Sequence, residues 1–393
     1  MRLLILQSVL CCCLLASAAE ATVQLELKSG QRYDCAFRQV RDSQLIFKTN
    51  GGASYTVSLD ALTDRSKKQV SSWVRAQGGT LKYASWIKSP DSAFSKSWPK
   101  TVYGPANPPL KVRHDLSKNG KYVFETENYQ FICDAKLDSK VVQRFSVLFE
   151  TTHRYNMALP INVAARYEVK GHKFPIYLFE SMQLYVRAGG HPRAAGVFIP
   201  SKGICLIPLQ SLGVRKQGTR WIYEKGKDNS TISHELTHQL MAGTSFAPWF
   251  LEGSAEYVSS TPYNHAVFHV YNSKPKVIDL VTDDKLKPGE YGRMLGRRFS
   301  MPKLSRFMTM PYGQFAGPNA NLNYGAALLL TYYFYHEDGN GDAARIKSYI
   351  KTLQRGGSEQ EALKALLNGR SFEELEKSFA KYYAQSGVTI DFK

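Results

Sequence analysis

Residues 231–257, TISHELTHQLMAGTSFAPWFLEGSAEY, hold two histidines and three glutamates in one short segment. His234 and His238 stand four apart. On a helix such residues share a face, with Cβ atoms about 5–6 Å apart, so both imidazoles can reach one metal ion. Glu235, beside the first histidine, can then lie next to a metal-bound water and take its proton. Glu252 and Glu256 are also four apart and share a face. One of them can bind the metal. The other can accept the free N–H of a ligating histidine. Glu252 is the expected third ligand, with Glu256 as its rival. The segment contains no Lys or Arg, although the whole chain carries a formal charge of +18. A cation here would repel a metal and compete for its carboxylate, so the patch is expected to be free of positive side chains.

A catalytic zinc takes three protein ligands and keeps one position open, whereas a structural zinc is usually closed by four. This segment offers three. The two pairs must be carried by two helices folded back on each other. Pro248 suits a helix start, and Gly243 permits the chain to turn between them. His265 and His269 are also four apart but have no third ligand nearby. His336 ends an apolar helical run, where it could cap the helix or serve as an acid. His191, in a loop, reads as solvated.

The pattern HELTHQL…PWFLEGSAEY resembles the gluzincin, or peptidase MA-like, superfamily of zinc metallopeptidases, whose motif is HExxH followed by WxxEGxA. The resemblance implies that His234, His238 and Glu252 hold one Zn2+ and that Glu235 is the general base. It gives Glu256 the place of the carboxylate that orients a ligand histidine. Further on, NLNYGAALLLTYYFY resembles the tyrosine helix of that superfamily. Tyr324 matches its oxyanion-stabilising tyrosine; a core tyrosine on an apolar helix is the other reading. The Lys-Gly pair of the aminopeptidase branch is missing here, and so is its GxMEN strand, so aminopeptidase activity is unsupported. HELTHQLMAGTS lacks the further histidine of metzincins. In gluzincins an edge strand just before the metal helix pairs with substrate backbone, and GICLIPL stands at that place. The resemblance covers roughly 125–390 and is strongest over 231–257.

The rest of the chain must fold so as to position that segment. With 393 residues, 43% hydrophobic and 21% charged, it has the composition of a globular protein with room for a sizeable core. Residues 1–21 read as a signal peptide: Arg2, the apolar run LLILQSVLCCCLL, then the small residues ASAAEA. The residues before Cys11, SVL, lack the small residue a lipidated cysteine needs. No later run is long and apolar enough to span a membrane. Residues 22–78 alternate in short runs punctuated by KSGQ, RDSQ and TNGG, as hairpins of a small barrel do. From LKSGQRYDCAFRQV to YTVSLDALTDRSKKQV they resemble the SH3-like domain of the Sla-type homology family, which implies a binding or spacer module. Residues 79–124 read as a basic linker lying partly against the next domain. From Arg65 to Lys121 there are twelve Lys/Arg against Asp91 and Asp115, a net +10.

Residues 125–393 form the expected metallopeptidase domain. DSKVVQRFSVLFETTHRYN has an apolar helical stripe of Val141, Val142, Phe145, Leu148 and Phe149. FPIYLFES reads as a strand, and AAGVFIPSKGICLIPL as a hairpin turning at Pro200–Gly203. Helices are expected over 323–336, 342–354, 358–367 and 371–385. Strands first and helices later indicate an α+β fold: an SH3-like β-barrel, then a thermolysin-like zincin domain with an N-terminal mixed sheet, an active-site helix and a C-terminal helical part. Past the signal the cysteines are Cys35, Cys133 and Cys205, so at most one bridge can form, Cys133–Cys205, with three buried thiols as the alternative. The expected function is an exported (periplasmic or extracellular) zinc metallopeptidase acting on a peptide or protein. Two alternatives stay open: an idle zincin-like groove that only binds peptide, and a surface scaffold. An acidic surface or wall polymer would suit the basic linker. No nucleic-acid motif accompanies it.

Overall fold

The computed structural model describes residues 22–41, 44–76, 84–85, 94–113, 121–163, 166–167, 173–224, 230–242, 246–283, 292–355 and 357–393. The expected signal peptide, Gly243 and Asp91 lie outside them. The chain is a mixture of helices and open sheets, and it divides into two compact units, Met1–Leu81 and Lys82–Lys393.

The first unit is an open antiparallel sheet of four strands in sequence order: Val23–Glu26, Arg32–Arg41, Gln44–Thr49 and Ser54–Ser58. Its alternation is the one read from the sequence. Leu25, Cys35, Phe37, Leu45 and Phe47 are buried, and Tyr33, Phe47 and Tyr55 line up across three strands with ring centroids 5.0 and 5.7 Å apart. Such cross-strand aromatic contacts fix register. The helix Asp64–Ala76 follows and is tied to the first strand where Ser66 Oγ accepts the Glu26 N–H at 2.8 Å.

The second unit has a six-stranded mixed sheet. Its order is Val197–Ile199, Ile204–Pro208, Phe174–Phe179, Tyr129–Cys133, Tyr122–Glu125 and Lys111–Arg113. Phe174–Phe179 runs parallel to both its neighbours. It is buried along almost its whole length, as a near-continuous apolar strand between parallel partners must be. The helix Ser139–Ala158 makes the connection between Tyr129–Cys133 and Phe174–Phe179. It starts at Asp138, whose side chain accepts the Lys140 N–H at 2.7 Å. Its stripe of Val141, Val142, Phe145, Leu148 and Phe149 is buried against the sheet with Phe131 and Ile176. The hairpin turns at Pro200–Gly203 as expected, with Gly203 at φ 61°.

Part of the segment read as linker builds this unit. Lys111–Arg113 is an edge strand of the sheet, and Val102–Tyr103 pairs with Val267–Phe268. One placement differs from expectation. The strand Ile204–Pro208, within GICLIPL, is interior, and the edge beside it is Val197–Ile199. The hairpin folds its first arm outward, so the exposed backbone belongs to the residues preceding the turn.

The late helices are Ala320–His336, Ala344–Gln354, Glu359–Leu367 and Phe372–Ala384. Ser358 with Glu361, and Ser371 with Glu374, close reciprocal caps that start the last two. A second core unites these helices with Trp249, Phe250 and Tyr257. Cys35, Cys133 and Cys205 are buried thiols with no disulfide bridge between them. Among the described residues, no helix is long and apolar enough to cross a membrane.

Candidate metal centre

Two helices carry the site. The first, Ser230–Leu240, turns Ile232, Leu236 and Leu240 into the core beneath the sheet. Gln239 fastens it from the same side, with Nε2 donating to the Pro175 and Gly203 carbonyls at 3.1 and 3.2 Å. Asn156 Nδ2 donates to Thr237 Oγ1 at 3.3 Å, which ties it to the helix Ser139–Ala158. With that side buried, His234, Glu235 and His238 are left partly exposed on the other.

The second helix, Pro248–Ser260, begins with Pro in its first turn and sinks Trp249, Phe250 and Tyr257 into the helical core. Gly253 sets how close it lies to the helix Ala320–His336. A Cβ built there would fall 2.1 Å from Thr331 Oγ1 and 2.5 Å from the Ala327 carbonyl oxygen. Only glycine permits that approach, which brings Tyr324 to the same side of the molecule as Glu252.

The pairs meet as the four-residue spacing requires. Glu252 Oε2 lies 3.0 Å from His238 Nε2 and 3.3 Å from His234 Nε2, and the two Nε2 atoms are 2.9 Å apart. His234, His238 and Glu252 can hold a metal ion. Bonds of about 2.0–2.1 Å in a tetrahedral ion separate its ligand atoms by about 3.3 Å, so the triangle is near that size and the residues fit. Glu256 takes the other position: its Oε1 accepts from His234 Nδ1 at 3.1 Å. That hydrogen bond keeps a proton on Nδ1, so Nε2 is the nitrogen that faces the triangle and the one that would give up its own proton to a metal.

Electrostatics favour a cation here. Glu252 is 2% exposed. Burial works against its ionisation, yet the charge of His238 and hydrogen bonds from both histidines hold it well below the usual carboxylate range. Burial likewise works against a charged His234, but hydrogen bonds to Glu252 and Glu256 outweigh it and raise that group to about 10. Two buried carboxylates thus concentrate negative potential where the two imidazoles converge.

Glu235 lies one residue along from His234, outside the triangle, with Oε2 accepting the backbone N–H of Phe198 at 2.7 Å. Phe198 is the middle residue of the edge strand Val197–Ile199. The Tyr324 ring is 6.4 Å from that of His234. Burial, then the Glu252 charge, push its phenol far above the ordinary range, so it is a donor and not an anion.

The remaining histidines are elsewhere. His269 Nε2 contacts Asn264 Oδ1 at 2.9 Å, and among the described residues neither it nor His265 belongs to a metal-binding group. His191 is exposed. His336, expected as a cap or an acid, lies against Tyr257. Its Nε2 hydrogen-bonds with Tyr257 Oη at 2.8 Å, and burial lowers it to about 4.

Two residues near the site have no local sequence signal. Tyr312 sits on the short helix Tyr312–Phe315; desolvation and then the Glu252 charge push its phenol up to about 12. Arg293 approaches Glu256 with one terminal nitrogen 2.5 Å from Oε1 and Nε 3.2 Å from Oε2. The expectation of a patch without positive side chains therefore fails. It holds for residues 231–257, but the fold brings in a guanidinium from outside the segment. The cation is placed behind Glu256, where it does not compete for the carboxylate that faces the histidines.

Compared with known proteins, the chain matches no family model and no curated protein sequence.

Proposed function

We propose that the protein is a zinc-dependent metallopeptidase of the gluzincin kind, with Lys82–Lys393 as its catalytic unit and an SH3-like module before it. The observation that carries this reading is the triangle of His234 Nε2, His238 Nε2 and Glu252 Oε2, with edges of 2.9–3.3 Å and Glu235 next to it. A zinc ion held there would supply Lewis acidity, bringing the pKa of a water towards about 7 and polarising the scissile carbonyl.

The chain's own groups do the rest. Glu256 holds the His234 proton on Nδ1. Phe198 N–H fixes one oxygen of Glu235 and leaves Oε1 to take the proton of the attacking water. The water oxygen bonds to the carbonyl carbon, the C–N bond breaks, and Glu235 passes its proton to the leaving amine. Tyr324 donates its phenolic hydrogen to the developing oxyanion. On the outer edge of Val197–Ile199 the Phe198 N–H is taken by Glu235, which leaves the Phe198 carbonyl to accept from an extended peptide laid alongside. Export of the protein, and contact of its basic segment with an acidic surface or wall polymer, accompany this reading.

The test is a cleavage profile on a peptide library. The zinc-loaded protein should cut internal or terminal peptide bonds, lose that activity in a chelator, and regain it with about one zinc per chain. Zinc binding without any cleavage would leave a peptide-binding groove and end the enzyme reading.

A further inference from the structure

We propose that Arg293 is a positioning residue of this site. Its guanidinium holds the Glu256 carboxylate on His234 and the Tyr324 ring beside it, so that the histidine's metal-facing nitrogen and the phenol share one frame. The inference rests on the metallopeptidase reading above.

The contacts are two-pronged. One terminal nitrogen and Nε of Arg293 take the two oxygens of Glu256 at 2.5 and 3.2 Å. A carboxylate gripped by both oxygens cannot rotate. Its Oε1 is therefore kept at 3.1 Å from His234 Nδ1, the contact that fixes the ring's tautomer. The same guanidinium lies 5.0 Å over the Tyr324 ring. A planar cation can grip a carboxylate and stack on an aromatic face at once, which an ammonium cannot.

The backbone that delivers Arg293 is fixed on three sides. Its N–H donates to the Leu280 carbonyl at 2.7 Å, and the Leu295 N–H donates to Val281 at 3.0 Å. Asn321 Nδ2 donates to the Arg293 carbonyl from the tyrosine helix. Between these anchors Met294 is held at φ 51° with its side chain 80% exposed. A bulky residue in the left-handed region is strained, and such strain persists only where the surroundings over-determine it. Here the surroundings fix the turn that aims Arg293 inward. Gly325, facing the same turn, would put a Cβ 2.8 Å from Leu295 Cδ1 and 3.4 Å from Arg293 Cβ, so the turn and the tyrosine helix are close-packed.

The test is zinc titration by calorimetry on the full protein and on Arg293→Ala, Arg293→Lys, Glu256→Ala and the double variant Arg293→Ala/Glu256→Ala. Loss of a group that orients a ligand costs about 10–100-fold in metal affinity; the lower end is expected for Arg293→Ala, with only partial recovery in Arg293→Lys. With Glu256 already removed, Arg293→Ala should change nothing further. An equal loss in both backgrounds would overturn the proposal. So would tighter zinc binding by Arg293→Ala, which would show the guanidinium acting only as a like charge near the metal. If Arg293→Ala fails to fold, Arg293→Gln and Arg293→Lys carry the same comparison. Coupled losses of zinc affinity in a protein that cleaves no peptide would sustain the positioning role and end only the hydrolase reading. A wild type that binds no zinc would end both.

Discussion

Gly253→Ala sets two forces against each other. Gly253 is inside the helix Pro248–Ser260, and alanine there gains about 1 kcal/mol of helix propensity. Against that, the added Cβ would lie 2.5 Å from the Ala327 carbonyl oxygen and 2.1 Å from Thr331 Oγ1. The threonine can rotate away. The carbonyl is backbone, so the helices Pro248–Ser260 and Ala320–His336 must part by about 1 Å to restore ordinary contact. Overpacking of a core contact costs about 1–3 kcal/mol, and a rigid backbone neighbour puts this case at the upper end. The net expectation is a loss of about 2 kcal/mol. At about 2 °C per kcal/mol for a unit of this size, that is a fall in Tm of about 4 °C. Glu252 is the adjacent residue and moves with the helix, so zinc affinity should fall as well. Thermal unfolding in chelator reads the packing effect, and calorimetric zinc titration reads the displacement. Adding Thr331→Ala should restore little, because Ala327 O remains. An unchanged or higher Tm for Gly253→Ala would refute the claim that glycine sets this helix contact.

Other outcomes follow from the site and its surroundings. Glu252→Ala should abolish binding at micromolar zinc, whereas Glu256→Ala should weaken it by about 10–100-fold and leave it measurable; the opposite ranking would exchange their roles. Half-buried His336 is lowered by desolvation from 6.5 to about 4. Below pH 6.5 the unfolded chain takes up a proton that the folded chain refuses, so stability should fall as the pH drops from 6.5 to 4, by up to about 3 kcal/mol. Urea unfolding at pH 7 and 4.5 should show a shallower fall for His336→Gln than for wild type; equal falls would contradict the assignment. Tyr324→Phe should reduce hydrolysis by about 10–10³-fold with zinc still bound, and an undiminished rate would return Tyr324 to a packing role.

What was legible in the sequence was local. The four-residue spacing of His234 with His238, and of Glu252 with Glu256, determined which side chains share a face, and two helices packed together brought the pairs into one triangle. The stripe from Val141 to Phe149 and the caps at Ser358 and Ser371 were readable for the same reason: each is settled within a few turns of helix. The edge of the sheet was not. GICLIPL and AAGVFIP are both apolar enough for an interior strand, and which arm faces out depends on where Phe174–Phe179 inserts. Arg293 and Tyr312 were not readable either. They reach the site from 37 and 60 residues beyond Glu256 and Glu252, through turns whose geometry is set by packing. Charge counted along 231–257 therefore missed a cation that charge counted in space includes.

The central claim is that Glu235 is the base of a zinc hydrolase and not a ligand or a bystander. Glu235→Gln tests it most directly. Glutamine is nearly isosteric and can still accept the Phe198 N–H, but it cannot take a proton from water. Zinc content and hydrolysis should be measured on the same preparation. About one zinc per chain should remain, and hydrolysis should fall by about 10²–10⁴-fold, the usual contribution of a positioned acid–base group. Zinc-dependent cleavage that proceeds undiminished in Glu235→Gln would contradict the account.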